Sequence, residues 1–487
     1  MNTSSADPHH ERRWLILAIL GLAQLMVVLD ATIVNIALPS AQKDLGFSDE
    51  NRQWIVTAYA LAFGSLLLLG GRIGDLFGRK WVFITGLIGF AVASAIGGVA
   101  DSFGVLVAAR ALQGVFGALL APAALSLLTT TFTIPEERNK AFGVFGAIAG
   151  SGAAAGLLLG GVLTEYLSWR WCLYVNLAFA GVAVFGAFTL LTNQAQANKP
   201  RLDIPGTLTA SAGLFALVYG FSHAAETSWS NGTTVGFLVA GVVLIAAFVG
   251  LEQRVAHPLL PLRVVLDRDR GGSYLAMGLS AISMFGVFLF LTYYLQQNLG
   301  FSPIESGLAF LPMTVAIMIS ATTSQTQLLP RFGARPLIGA GLALGALGML
   351  LLTGIGTDSS YWTHVLPGLL VMGFGLGNVF APAMSSATLG VEPNDAGVAS
   401  AMVNTMQQIG GSIGTALLST LAASATTDAL TGVRPTPDLV AQAAVHGYTT
   451  AFYWSAAIFA VAAVVCTTLL RPGVHEPSMA AEPVLAH

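Results

Sequence analysis

The sequence predicts an all-α polytopic membrane protein with fourteen transmembrane helices. Three observations carry this. The 487 residues are 55% hydrophobic and only 9% charged, with a mean hydropathy of +0.74, whereas soluble domains carry about 25% charged residues. The apolar residues come in long continuous runs, and a bilayer-crossing helix needs about 20 such residues; barrel strands would instead alternate in short segments. Lys and Arg gather in the connections, mostly on one side. Lipid tolerates only structures that satisfy their own backbone, so these runs are helices. The 55 glycines suit helices that pack closely.

In chain order the spans fall at roughly 14–38, 53–71, 81–100, 104–131, 141–165, 171–192 and 205–222, then 233–251, 273–298, 305–329, 336–356, 363–388, 397–424 and 448–470. The first starts near Trp14 after a short polar tail. It is too long, and lacks the cleavage site, for a removable signal peptide, so it reads as a retained helix. Glycine and alanine blur the divisions within 104–165 and 363–424.

With the N-terminus inside, the inner connections hold Arg12, Arg13, Arg72, Arg79, Lys80, Arg138, Lys140, Lys199, Arg201, Arg254, Arg263, Arg268, Arg270, Arg331, Arg335 and Arg471. The outer ones hold Lys43, Arg52, Arg170 and Arg434; Arg110 lies within a span. This bias predicts cytoplasmic termini and an even number of spans. The longest outer connection, 425–447, and the longest inner one, 252–272, are too short to bury a core. The inner one, with Pro258, Pro261 and Asp267-Arg268-Asp269-Arg270, reads as carrying a short interfacial helix. Cys172 and Cys466 sit in apolar runs and offer no CxxC, metal spacing or evident disulfide.

Between the second and third spans lies Gly71-Arg72-Ile73-Gly74-Asp75-Leu76-Phe77-Gly78-Arg79-Lys80. A connection this short is tight, and Gly71, Gly74 and Gly78 are expected to supply backbone freedom. Asp75 is an acid among bases. Taken alone, the stretch is equally a solvated basic turn with one ion pair. Phe332-Gly333-Ala334-Arg335 echoes Phe77-Gly78-Arg79 between two later spans, a faint internal repeat of the kind transporters with two related halves show.

Ionisable residues at lipid depth are few, and a charge there costs roughly 2.5–3.5 kcal/mol. Asp30 in the first span and Arg110 in the fourth both fall about 9–12 Å below the outer helix ends at 1.5 Å per residue. They are expected to meet across a cavity, with Gln113 near the same face as Arg110. A structural ion pair and a proton or substrate site are both open readings. Asn35, Gln296, Asn404, Gln407 and Gln408 are candidate cavity residues, or they bond neighbouring helices. Gly152, Gly156 and Gly160 form a bare stripe on the fifth span. Gly410-Gly411-Ser412-Ile413-Gly414 lacks the strand–turn–helix setting of a hydrolase nucleophile, and Gly373, Gly375 and Gly377 follow no strand; both read as helix packing.

The chain resembles the major facilitator superfamily, and within it the fourteen-helix drug:proton antiporters, over nearly its whole length. Gly71, Asp75, Gly78, Arg79 and Lys80 match the superfamily loop motif. Leu29 to Pro39 resembles the first-span signature of the fourteen-helix group, and Arg110-Ala111-Leu112-Gln113-Gly114 the fourth-span motif linked to proton coupling. Gly150, Gly156, Gly160 and Gly161 resemble the fifth-span antiporter motif, with Leu157 where that motif has proline, so the bend attributed to the proline is in question.

The resemblance implies a 6+2+6 major facilitator fold. Its parts would be a tail at 1–13, a six-helix bundle at 14–192, two inserted helices and a linker at 193–272, a second bundle at 273–470 and a tail at 471–487. It implies that Asp75 and its basic neighbours latch the bundles on the cytoplasmic side, and that Asp30 carries protons under the influence of Arg110 and Gln113. The expected activity is proton-coupled efflux of hydrophobic or amphiphilic small molecules by alternating access; a dedicated exporter of one metabolite, siderophore or lipid is the alternative. The expected setting is a bacterial inner membrane. The expected partners are the substrate, protons and lipid, with no nucleic acid, cofactor, metal or catalytic chemistry, in a monomer.

Overall fold

A computed structural model describes residues 12–47, 54–192, 203–255, 258–432, 434 and 436–473. Among these, fourteen long helices follow one another. They are α1 Arg13–Leu45, α2 Trp54–Phe77, α3 Arg79–Gly98, α4 Phe103–Thr131, α5 Pro135–Tyr166, α6 Trp171–Leu190 and α7 Ile204–Glu226. Then come α8 Gly232–Glu252, α9 Arg268–Asn298, α10 Ile304–Phe332, α11 Ala334–Leu352, α12 Tyr361–Ala387, α13 Ala396–Leu430 and α14 Pro437–Leu469. The start of α1 and the end of α14 share one face, here called the basic face because most Arg and Lys border it.

The polar connections supply the helix starts. Asp203 accepts the Gly206 N–H ahead of α7, Asp267 accepts the N–H groups of Asp269 and Arg270 at α9, and Ser302 with Glu305 forms a capping box before α10. The interfacial helix expected within 252–272 is a single turn, Leu262–Val265.

Two helices outrun their apolar cores. α13 continues to Leu430 and α14 begins at Pro437, so the expected outer connection at 425–447 shrinks to 431–436. Thr436 caps α14 through the Leu439 N–H, and Thr426 and Thr427 bond back to the carbonyls of Ala422 and Ala423. Hydropathy marks the lipid-crossing part of a helix, whereas helix propensity and caps set its length.

The Gly71–Lys80 stretch also differs from expectation. It is no loop: α2 runs through Gly71 and Gly74 to Phe77, and α3 begins at Arg79. Only Gly78, with φ +96°, uses glycine's freedom. Gly333, with φ +77°, makes the same one-residue joint between α10 and α11, so the faint sequence echo corresponds to a repeated backbone feature. α5 is continuous through Leu157, as expected without the motif proline.

The repeat extends to packing. In the first half α1 packs on α5 and α6, α2 on α4, and α3 on α4 and α6; in the second, α9 packs on α13 and α14, α10 on α12, and α11 on α12 and α14. Across the halves, α2 meets α13 and α5 meets α10 and α12. Glycines let these helices approach: Gly375 faces Gly341 and Gly345, and Gly410 faces Gly278.

α7 lies against α2 and α13 and pairs with α8. Most of α8 is exposed, as suits lipid contact. At the end of α8 the buried Glu252 carboxylate accepts the N–H groups of Leu259 and Leu260, each at 3.1 Å. This holds both leucines in an apolar cluster with Leu68 of α2 and Val398 and Ala401 of α13.

Candidate functional site

Asp30 and Arg110 do meet, but in direct contact rather than across a cavity. Arg110 Nη1 donates to Asp30 Oδ2 at 2.5 Å, and both side chains are buried. Gln113 Nε2 donates to Asp30 Oδ1 at 3.0 Å, and its Oε1 accepts from Arg110 Nη1 at 2.8 Å. Asn176 on α6 gives Asp30 Oδ1 a third donor at 2.7 Å. Ser94 Oγ on α3 accepts from Gln113 at 2.6 Å and from Asn176 at 3.3 Å. Arg110 Nε donates to the Ile55 carbonyl, and the guanidinium lies 4.5 Å over the ring of Tyr59. Five helices, α1, α2, α3, α4 and α6, thus converge on one carboxylate.

The arrangement is electrically balanced. A buried carboxylate is tolerated when paired and fully hydrogen-bonded, and Asp30 has three donors. Two atoms in the same cluster, Tyr59 Oη and Asn176 Oδ1, are buried without a partner among the described residues. A void with room for about one water, lined by Val34, Ile55, Leu106, Arg110 and Leu173 among others, adjoins Arg110.

Sequence reasoning missed Asn176, Ser94 and Tyr59. The signal was present: each is a polar group in an apolar run within two turns of a helix end on the face opposite the basic one. An uncharged polar group costs less to bury than a charge, so it stands out less in an apolar run.

The glycine stripe of α5 packs on this same stretch of α1. A Cβ at Gly152 would lie 2.7 Å from Val28 Cγ1, one at Gly156 would enter Thr32 Oγ1 and lie 3.0 Å from the Leu29 carbonyl, and one at Gly160 would lie 2.9 Å from Ile33 Cγ1. Gly156 and its neighbours therefore seat the helix turn that carries Asp30. Gly161 faces Ile304 of α10 instead. The surroundings of Gly150 and the side chain of Asn35 lie outside the described part.

A second polar cluster closes the basic face. Asp75 is fully buried; its Oδ1 accepts Arg79 Nη2 at 3.0 Å and the Gly397 N–H at 3.1 Å. Gly397 belongs to the first turn of α13, where unpaired N–H groups and the helix dipole favour an anion. Gly71 presses on the same point: a Cβ there would lie 2.5 Å from the Gly397 carbonyl. Beside it Asp395 takes Arg263 at 2.7 Å and Arg72 at 3.9 Å. Burial pushes the Asp395 carboxyl above the usual carboxylate range, against the pull of Arg263 and Arg72. On the other side of the face, Arg138 of α5 donates to the Ser385 carbonyl of α12 and to Thr388 Oγ1 just past its end. Lys80 faces elsewhere, donating to the Leu191 and Phe188 carbonyls at the end of α6 within its own half.

The candidate cavity residues are not assembled into one group. Gln296 is in the last turns of α9, toward the opposite face. Asn404 bonds back to the Ser400 carbonyl of its own helix, and Gln407 and Gln408 are partly exposed. Ser412 likewise bonds the Gln408 carbonyl, as suits a packing motif.

Comparison with known proteins bears on the family and the fold. Residues 20–415 match the model of the Major Facilitator Superfamily. The chain is 50% identical to the "Puromycin resistance protein pur8" of Streptomyces alboniger, over 94% of this chain and 92% of that protein. It is 40% identical to the "Cephamycin export protein CmcT" of Amycolatopsis lactamdurans, over 83% and 84%, and 35% identical to the "Tetracenomycin C resistance and export protein" of Streptomyces glaucescens, over 85% and 76%. Its fold is similar to that of the human organic anion transporter MFSD10 (TETRAN), with a TM-score of 0.63 at 17% identity, covering 94% of this chain and 99% of that one. The chain belongs to the major facilitator superfamily, among relatives that confer antibiotic resistance and export antibiotics.

Proposed function

We propose that this protein expels amphiphilic antibiotic-like molecules across a bacterial inner membrane in exchange for protons, by alternating access. The buried Asp30–Arg110–Gln113–Asn176 network carries the reading. Asp30 is hydrogen-bonded by donors on α4 and α6. Protonating it releases those donors, so proton uptake is coupled to the packing of three helices. A hydrogen bond from a charged donor such as Arg110 is worth about 1.5–3 kcal/mol, enough to shift a conformational balance roughly ten- to hundredfold.

In this reading the segments 14–192 and 273–470 are the two moving bundles, 193–272 is the insert between them, and 1–13 and 471–487 are cytoplasmic tails. The basic face is cytoplasmic, and Gly71, Asp75, Gly78 and Arg79 form its gate, with Arg72, Arg138 and Asp395. Lys80 fixes α3 to α6 behind the gate. Gly156 and Gly160 set the α1–α5 register, with Gly150 and Gly161 on the same helix. Asn35, Gln296, Asn404, Gln407 and Gln408 would reach the substrate path at different depths. The protein works as a monomer with protons, lipid and a small-molecule substrate, and needs no cofactor or nucleic acid.

Puromycin is the first compound to try, because the relative sharing half of the residues is named for resistance to it. In proteoliposomes, puromycin-driven proton movement by the wild type is expected to vanish in Asp30→Asn. Unchanged coupling in that variant would remove Asp30 from the role. The same relatives are each named for a single compound, which favours a second reading, a dedicated exporter of one antibiotic. A resistance panel separates the two: protection against one scaffold supports the narrow exporter, and protection against several unrelated scaffolds the broad one.

A further inference from the structure

Gln325 has no place in either cluster. It is fully buried on α10, in the π turn Ser324–Leu328, and neither its Oε1 nor its Nε2 has a hydrogen-bond partner among the described residues. The hydroxyl of Ser324 beside it is equally buried and equally unpartnered. Counting from Phe332, both lie about 10 Å in from the basic face at 1.5 Å per residue.

What they face is the joint between the halves. A Cβ at Gly143 of α5 would lie 3.2 Å from Gln325 Cβ and 3.5 Å from the Ala321 carbonyl, and one at Gly146 would lie 2.7 Å from Ala381 Cβ of α12. Ala147, Ala321 and Ala381 line the junction with methyl groups, which have neither donor nor acceptor. A primary amide offers two donors and an acceptor. Stranding all of them in an apolar joint is unfavourable, and a buried polar group left so calls for a state in which it is satisfied. The π turn, a feature frequent at functional sites, re-aims the side chains at this point.

We propose that Gln325, with Ser324 beside it, is a hydrogen-bonding contact for the exported molecule as it enters from the basic face. When α5 and α10 part, the amide and the hydroxyl line the opening. They pair there with a neutral carbonyl, hydroxyl or amide on an otherwise apolar solute. In the closed joint the same groups are unpaired, which biases the protein toward reopening. This rests on the export reading above.

The test uses the full chain with Cys172→Ser and Cys466→Ser, in inside-out membrane vesicles. Gln325→Cys is expected to react with a membrane-impermeant maleimide, and saturating puromycin is expected to slow that reaction about tenfold. Gln325→Leu is expected to raise the puromycin KM on the order of tenfold, the loss that one unmade hydrogen bond implies, with Gln325→Asn recovering part of it. If Gln325→Cys stays unlabelled while Phe332→Cys, at an exposed site, reacts, the opening does not reach Gln325 and the proposal falls. Labelling that puromycin leaves unchanged, with an unchanged KM in Gln325→Leu, overturns the ligand contact. Wild-type vesicles that carry no puromycin would count instead against puromycin as the exported compound, and labelling would still decide whether Gln325 lines the opening.

Discussion

The carboxylate of Asp75 on α2 accepts the backbone N–H of Gly397 on α13 at 3.1 Å. Here a side chain of the first half caps a helix of the second, at a point where Gly71 and Gly397 bring the two backbones together. The contact requires both the acid and the missing side chains. A Cβ at Gly397 would lie 2.7 Å from both Asp75 carboxylate oxygens and would also run into the Gly71 carbonyl.

Gly397→Ala is therefore expected to prise α2 from α13 and open the basic face, whereas Asp75→Asn weakens the cap without adding bulk. Cysteine labelling across the α2–α13 joint should rise in both, more in Gly397→Ala. Substrate affinity in Asp75→Asn should stay within about threefold, because the site lies away from the Asp30 network. A large loss of equilibrium binding with normal labelling would contradict this.

Removing one partner of the buried Asp30–Arg110 pair leaves an unpaired charge, which costs about 3–5 kcal/mol. Arg110→Gln is expected to lower thermal stability sharply, and adding Asp30→Asn to restore much of it, with transport coupling still lost. Thermal unfolding of the two single variants and the double variant measures the coupling directly; additive losses would show that the pair does not interact as described.

Asn176→Leu should separate the unpredicted donor from the predicted ones. It removes a 2.7 Å hydrogen bond to Asp30 but leaves Arg110 in place. The expected result is a fold retained at a cost of about 1–3 kcal/mol, with proton-coupled transport weakened because the α1–α6 hydrogen bond is gone. Unchanged coupling in this variant would make Asn176 a packing residue.

Gly156→Ala would set a methyl group against Thr32 Oγ1 and 3.0 Å from the Leu29 carbonyl. Overpacking of this kind costs about 1–3 kcal/mol. Efflux is expected to fall in Gly156→Ala, and Thr32→Ala to recover part of it by clearing the hydroxyl. The Leu29 backbone cannot yield in the same way, so full recovery would place the clash elsewhere.

If the basic face is the gate proposed above, Asp395 is expected to give it a pH dependence. Burial raises its pKa in the closed face, so the closed form binds a proton more tightly than a form in which Asp395 is solvated. By linkage, lowering the pH through the raised value favours closure, and raising it favours opening. Labelling of a cysteine in the α2–α13 joint should therefore increase with pH over that window, and Asp395→Asn should flatten the response.

Much of this molecule was legible in its residues. The fourteen spans, the side of the membrane facing most arginines and the pairing of Asp30 with Arg110 all follow from hydropathy, charge and depth, because lipid makes each polar group costly and so conspicuous. The echo of Phe77-Gly78-Arg79 at Phe332–Arg335 was legible as a faint repeat, and the structure gives it a cause in two glycine joints with positive φ. The misreadings were of another kind. Gly71 looked like a flexible loop residue and is a helical one, held against a backbone more than 300 positions away. Lys80 looked like part of the latch and instead caps α6.

The sequence by itself determined what must be buried in lipid, where the charges lie and which acid needs a partner, because these follow from transfer free energies that each residue carries with it. Only the tertiary structure decided which helices meet. It brought Asn176 and Ser94 to Asp30, placed Asp75 on the first turn of α13, laid the α5 glycines against the turn that carries Asp30 and left Gln325 without a partner. Those outcomes depend on how close two backbones come and at what register. That is a property of helix pairs rather than of residues, and no single stretch of chain encodes it.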